Sequence, residues 1–90
     1  MKSKRTRAFR QHYDALPAAI QKQAKKAFAL FRANPIHPSL NFKSVGGDPV
    51  WYSARIGISY RALCFRSDDG NYIWFWIGPH PDYDSLLKQR

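Results

Sequence analysis

The chain has 90 residues, a length typical of one domain, and it carries 15 lysines and arginines against six aspartates and no glutamate. The resulting formal net charge of +9 favours a polyanion or an acidic protein as partner. No apolar run approaches the roughly 18 residues of a membrane span, and the basic N-terminus lacks the apolar region of a signal peptide, so we expect a cytoplasmic protein without a membrane partner. The aspartates are scattered along the sequence, which disfavours a two-metal site.

The first predicted element is a short helix over residues 5–13. Phe9 and Tyr13 stand four positions apart in this segment, whose other residues are mostly basic or polar. Residues 1–6 are rich in lysine and arginine and have no apolar pattern. We expect them to form a flexible basic arm.

A longer amphipathic helix is predicted next. Asp14 is a candidate N-cap, and Pro17 is tolerated in a first helical turn, where its missing N–H costs nothing. Apolar residues then recur at helical spacing as far as Phe31, and the helix is expected to end before Asn34-Pro35. The short connection predicts that the two helices form a hairpin.

After a proline-rich connector the apolar pattern changes to period two, which is typical of strands. Four strands are expected, joined by a turn at 46–49 and a hairpin loop around Asp69-Gly70, at residues 40–45, 50–56, 59–66 and 72–77. The continuously apolar last strand suits a position covered on both faces. A short helix is expected in the tail, and the order of elements predicts one α+β domain over residues 1–90.

Alternation along the third strand places Tyr60, Ala62 and Cys64 on one face and Arg61, Leu63 and Phe65 on the other. The small residues Ala62 and Cys64 suit the helix side, which turns Arg61 to the opposite face. An arginine is seldom buried without a partner. Arg61 therefore either meets a carboxylate such as Asp82 or Asp84, or is available for an anion.

Four side chains are candidates for catalysis. If the second and third strands pair across Gly57, Arg55 and Arg61 become neighbours, and two adjacent cations repel unless an anion joins them. His80 and Tyr83 follow the last strand directly, although either could have a purely structural role. Together these groups could cleave RNA without a metal: one draws a proton from the 2′-hydroxyl, another protonates the leaving 5′-oxygen, and the guanidiniums stabilise the added charge.

No cofactor or metal is predicted. Metal-ligand spacing is missing from the candidate ligands, which are His12, His37, Cys64 and His80. The thiol of Cys64 is expected to be inert, since burial in a strand raises the pKa of a thiol. The aromatic residues of WFWIG, residues 74–78, are interpreted as structural and not as a base-stacking platform.

Three segments together resemble the RelE/ParE superfamily of bacterial type II toxins, and in particular its short RelE-like (HigB/RelE-type) single-domain members. They read LPAAIQKQAKKAFALFRANPIHPSLNFK (16–43), WYSARIGISYRAL (51–63) and WFWIGPHPDYDSLL (74–87). The resemblance implies two helices packed on a curved, mainly antiparallel sheet of about four strands. It also implies a toxin that cleaves mRNA in the ribosomal A site without a metal, and an antitoxin that silences it and brings it to operator DNA.

Residue roles follow from the same resemblance. Arg61 matches the family arginine that contacts the scissile phosphate, Arg55 lies at or near a second basic position, and His80 and Tyr83 lie where relatives place active-site residues. Further contacts with substrate or ribosomal RNA are expected from Lys43, Arg66, Lys22, Lys25 and Lys26. The chain departs from RelE proper, which carries a lysine pair where this sequence has residues 52–54, Tyr-Ser-Ala.

Two other functions share this fold. ParE-type toxins poison DNA gyrase and have no evident need for the ribonuclease groups. A catalytically inactive homologue could instead bind operator DNA with its antitoxin, with the basic N-terminal arm on the phosphates.

Overall fold

The computed structural model describes residues 3–46 and 50–89. Over these residues the chain forms three α-helices and one five-stranded sheet of order β1-β5-β4-β3-β2. The helices are α1 (Arg7–Asp14), α2 (Ala18–Ala33) and α3 (His80–Lys88), and the strands are β1 (Ser3–Arg5), β2 (Lys43–Ser44), β3 (Trp51–Ile56), β4 (Tyr60–Arg66) and β5 (Tyr72–Pro79). The predicted α+β class is confirmed. None of the described helices has the length and apolar character needed to cross a membrane.

The helical hairpin forms as predicted, although its caps differ. The side chain of Thr6 accepts a hydrogen bond from the Phe9 N–H and caps α1. The Gln21 side chain donates to the Tyr13 carbonyl at 3.0 Å and holds the two helices together. The expected cap at Asp14 was wrong, because Asp14 ends α1, and Pro17 occupies the N-cap position of α2 without a side-chain hydrogen bond.

The expected flexible arm over residues 1–6 was wrong for the part that is described. Ser3–Arg5 form a strand that pairs in parallel with Tyr72, Ile73 and Trp74. The Trp74 indole N–H donates to the Ser3 hydroxyl at 2.8 Å, which anchors the strand at its first described residue. This additional strand, β1, covers the edge of β5, whose backbone N–H and C=O groups would otherwise be open to pairing with another chain. The sheet is therefore mixed, with one parallel pair.

The first predicted strand, residues 40–45, is much shorter in the structure. Pro38–Leu40 form a 3₁₀ turn, and only Lys43–Ser44 pair with β3. Asn41 lies between them with a φ of 44°, a left-handed conformation that interrupts extended backbone. The predicted turn at 46–49 lies outside the described residues at positions 47–49.

The core lies between the helices and one face of the sheet. Phe31 of α2 packs edge-on against Trp74 and Phe42, with ring centroids 5.3 and 4.9 Å apart. Ala62 and Cys64 belong to the same buried cluster, which confirms that the small residues of β4 face the helices. The other residues of β4 are thereby turned to the opposite face.

Candidate functional site

Strand register defines the face of the sheet that carries the candidate site. Residues paired across β3 and β4 have side chains on the same face of the sheet. One set of these pairs lies outside the buried cluster that packs against the helices. This set, which we call the arginine face, consists of the pairs Trp51–Phe65, Ser53–Leu63 and Arg55–Arg61.

The two arginines lie directly opposite each other, as the sequence predicted for strands paired across the Gly57 turn. Each guanidinium bonds to a nearby carbonyl: Arg55 Nε donates to Gly57 O at 3.0 Å, and Arg61 Nη1 donates to Tyr60 O at 2.9 Å. Arg55 is exposed and Arg61 is half-buried. Two like charges held side by side repel, and an anion between them would remove that repulsion.

The carboxylates that could have neutralised Arg61 are placed elsewhere. Asp84 lies 3.1 Å from the Nδ1 atom of His80, and Asp82 lines a cleft of about 450 Å³ beside α3. Within the described part of the chain neither arginine forms a salt bridge. Of the two alternatives left open for Arg61, a salt bridge with Asp82 or Asp84 is not found, and availability for an anion stays a prediction.

The turn that brings the arginines together depends on a glycine. Gly57 has a φ of +61°, and a Cβ atom there would lie 2.2 Å from the side-chain oxygen of Gln23. Glycine adopts this positive φ without steric cost, and the Gln23 amide is the movable end of a long side chain. The sharp turn leaves Arg55 and Arg61 in register on the two strands.

His80 stands at the end of the ladder between β4 and β5. The backbone N–H of His80 donates to the Ser59 carbonyl at 2.8 Å, and His80 is the first residue of α3. Two residues earlier, Gly78 pairs with Arg61, so the row Tyr60–Pro79 lies between the histidine and the arginine. The side chains of His80 and Asp84 are 43% and 53% exposed, which leaves the imidazole open to a ligand.

Tyr83 approaches the same rim from the next turn of α3. Its ring centroid lies 5.8 Å from that of His80 and 6.4 Å from that of Trp76. The Trp76 ring in turn lies against Gly78, where a Cβ atom would come within 2.7 Å of it. No hydrogen bond joins either His80 or Tyr83 to the arginines among the described residues.

Trp76 is therefore a site residue that sequence reasoning missed. A register shift between Leu63 and Cys64 leaves Phe75 without a partner on β4 and makes Trp76 the partner of Leu63, and the Trp76 ring contacts His12 of α1 and Tyr83 of α3. Strict alternation would have placed Trp76 beside Trp74 in the core. The only signal in the sequence is the glycine two residues later.

Other predicted binding residues divide between the two sides of the sheet. Lys43 is exposed on the arginine face, opposite Ser53. Arg66 lies at the far end of β4 and pairs with Tyr72, which packs on the core side, so it does not join the site. The exposed lysines of α2 lie on the helical side, and of these only Lys26 shares a cavity, of about 400 Å³, with Arg55; the others are Lys22 and Lys25.

Burial raises the pKa of the Cys64 thiol to about 12, so this residue is not a nucleophile near neutral pH. Over the described ranges, no three His, Cys or Asp side chains converge in a way that could hold a metal ion. The groups gathered at this rim can supply positive charge and exchange protons.

Comparisons with known proteins agree with this fold. The family model described as ParE-like toxin domain matches residues 18–85. The RelE toxin of a RelB–RelE complex from Methanococcus jannaschii superimposes with a TM-score of 0.71 at 18% identity, over 92% of this chain and 96% of that one. The isolated E. coli RelE toxin gives 0.67 at 15% identity, over 98% and 96% of the two chains.

A YoeB/ParE toxin from Agrobacterium tumefaciens superimposes with a TM-score of 0.67 at 17% identity, over 89% of this chain and 99% of that one. At such identities these likenesses establish the fold and leave the chemistry open. No curated protein matches the sequence.

Proposed function

The chain belongs to the family of ParE-like toxin domains, which confirms the resemblance found in the sequence, and from this premise we propose that it is a ribosome-dependent mRNA endoribonuclease that needs no metal. One observation carries the proposal: Arg55 and Arg61 lie directly opposite each other, and neither forms a salt bridge with a carboxylate of the described residues. A scissile phosphate would join the two charges.

The proposed reaction needs one proton acceptor and one proton donor. His80 accepts the proton of the 2′-hydroxyl, while Asp84, 3.1 Å from Nδ1, orients the imidazole so that Nε2 faces the substrate. The 2′-oxygen then bonds to phosphorus and the bond from phosphorus to the 5′-oxygen breaks. Tyr83 donates a proton to that 5′-oxygen, which leaves a 2′,3′-cyclic phosphate and a 5′-hydroxyl end.

The two arginines stabilise the phosphorane-like transition state, in which negative charge on the phosphate oxygens increases. Each guanidinium donates to one backbone carbonyl near the turn, and neither pairs with an acid of the described chain. Preorganised cations of this kind contribute about 10²–10³-fold to a rate. The basic surface, with a net charge of +9 over the sequence, would meet ribosomal RNA.

We also propose that an antitoxin protein binds and silences the chain. Solved structures with the same fold include RelE–RelB complexes from Pyrococcus horikoshii OT3 and Methanococcus jannaschii. The excess of positive charge suits an acidic partner. Contact with operator DNA would occur together with that partner.

A gyrase inhibitor is the second candidate, because the matching family is described as ParE-like. The third reading, an inactive co-repressor with a free basic arm on DNA, has less support. Ser3–Arg5 are held in the sheet, so they do not form such an arm.

One experiment separates the first two functions. The protein is induced in growing cells, the 5′ ends of cellular mRNA are mapped, and gyrase supercoiling is assayed in parallel. We expect cuts in frame with translation, reduced about 100-fold or more in Arg61→Ala and His80→Ala. Arg32→Ala removes an exposed arginine of α2 on the helical side and should behave like the parent.

Intact messages together with inhibited gyrase would support the ParE-like alternative. Folding of each variant is checked by its thermal unfolding transition. If Arg61→Ala and His80→Ala both stay folded and cut mRNA as the parent does, the assigned site is wrong.

A further inference from the structure

Three aromatic side chains lie on the arginine face, away from the two arginines. The Phe75 ring centroid is 4.9 Å from that of Trp51 and 5.9 Å from that of Phe65. Each of the three is partly exposed, whereas Leu63 on the same face is fully buried. The rings therefore form an outer layer above an already sealed strand, and we call them the aromatic platform.

The register shift in β5 creates this arrangement. Trp74 packs in the core with the helices, and Phe75, which has no partner on β4, contacts rings of the opposite face. Trp74 therefore has the structural role expected for the WFWIG aromatics, while Phe75 is partly exposed. A contiguous apolar patch on the surface of a small domain marks a candidate binding site.

The charges of the same face indicate what binds. Lys43, Arg55 and Arg61 share it by register, as does Lys4, which pairs with Ile73. None of the five described strands contains an acidic residue. Aromatic rings that stack on bases, beside cations that meet phosphates, are the two parts of a single-strand nucleic acid site.

The platform is also continuous with the candidate site. Trp51 and Arg55 are four residues apart on β3, which is about 13 Å at the rise of a strand. That distance is the length of about four nucleotides stacked at 3.4 Å each. One strand of RNA can therefore lie across both features.

We propose that Trp51, Phe65 and Phe75 stack the bases of the RNA strand whose phosphate lies between Arg55 and Arg61. This inference rests on the proposed ribonuclease function and names a second part of its substrate site. Stacking accepts every base, because each has a π-face, so the platform adds affinity without reading the sequence.

Binding is tested separately from cleavage. The probe is a fluorescent 12-nucleotide single strand with 2′-O-methyl riboses, which cannot be cut because its 2′-hydroxyls are blocked, and a matched strand has abasic positions. Fluorescence anisotropy measures the affinity of the full chain for each. We expect the parent to bind the base-carrying strand at least about five-fold more tightly, since stacking on one ring contributes that much.

Variants of one platform residue sharpen the test. Phe75→Leu should lose about five-fold or more on the base-carrying strand and nothing on the abasic strand, and Phe75→Tyr should retain the affinity. Ile36→Ala removes an apolar side chain that is 86% exposed outside the sheet and should change neither. Thermal unfolding of each variant checks that it folds. Equal affinity of the parent for the two strands, or unchanged binding by Phe75→Leu, would overturn the proposal.

The remaining outcomes separate this proposal from the ribonuclease function. Translation-linked cuts that need Arg61, combined with unchanged binding by Phe75→Leu, overturn the platform alone. Base-dependent binding without such cuts overturns the ribonuclease function and leaves the platform as a single-strand binding site. If Phe75→Leu weakens only the complex with an acidic antitoxin, the platform is a protein interface and the RNA proposal fails.

Discussion

The opposed arginines predict an energetic coupling that can be measured without any activity assay. Arg55 and Arg61 are register partners on β3 and β4, and like charges directly opposite each other destabilise a sheet. Two unit charges about 7 Å apart in water repel by about 0.6 kcal/mol. Screening reduces this to about 0.5 kcal/mol at 0.01 M salt and about 0.25 kcal/mol at 0.15 M salt.

A double-mutant cycle isolates this term. Each substitution to glutamine also removes a hydrogen bond to a backbone carbonyl, but those losses cancel in the cycle. At 0.01 M salt, Arg61→Gln should raise the free energy of unfolding of the parent by about 0.5 kcal/mol more than it raises that of Arg55→Gln. Urea unfolding detects this as a difference of about 0.3–0.5 M between the two midpoint shifts, for a slope of about 1–1.5 kcal/mol per M.

Salt and anions provide the controls for the cycle. The coupling should fall at 0.5 M sodium chloride, and inorganic phosphate should stabilise the parent more than either single variant. A coupling that is zero or favourable at 0.01 M salt, or that does not respond to salt, would refute the view that the two guanidiniums form one cationic site.

Three further outcomes are expected. Gly57→Ala and Gly70→Ala should each destabilise the protein by about 1 kcal/mol in urea unfolding, because both positions have positive φ and the Gln23 side chain that a Cβ at position 57 would meet ends in a movable amide; an unchanged stability of Gly57→Ala would contradict the need for a positive φ in this turn. The Cys64 thiol should react with a disulfide reagent at pH 8 at least about 10³-fold more slowly in the native protein than in urea, because burial raises its pKa to about 12, and similar rates would show that the thiol is accessible. Hydrogen bonds from a serine hydroxyl and from the loop backbone lower the pKa of Asp69, so its stabilising effect should be present above the unfolded value of about 3.9 and be lost as the pH falls through the lowered one. The difference in free energy of unfolding between the parent and Asp69→Asn should therefore be smaller at pH 2.5 than at pH 6. An equal difference at the two pH values would contradict the lowered pKa of Asp69.

Local patterns were enough to predict most elements. The helical spacing that ends at Phe31 and the period-two stretch of β4 depend only on neighbouring residues, and both elements are found with bounds shifted by a residue or two. The outward direction of Arg61 follows from the same alternation and is confirmed by the burial of Ala62 and Cys64 with the helices. Direction alone did not decide whether Arg61 meets a carboxylate.

Pairings between distant segments were beyond the reach of those patterns. Ser3–Arg5 look like a polar tail until Tyr72–Trp74 offer an open strand edge almost 70 residues later. The register shift beside Leu63 is equally invisible, because the alternation of WFWIG reads as one continuous strand. It places Phe75 against Trp51 and Phe65, and Trp76 against His12 and Tyr83.

The sequence by itself determined the basic charge, the order of helices and strands, and the face on which Arg61 lies, because composition and residue periodicity are properties of the chain alone. Tertiary structure decided which distant groups meet: Ser3–Arg5 with the edge of β5, and Phe75 with Trp51 and Phe65. These contacts depend on strand register, and register is set by packing and turn geometry over the whole sheet.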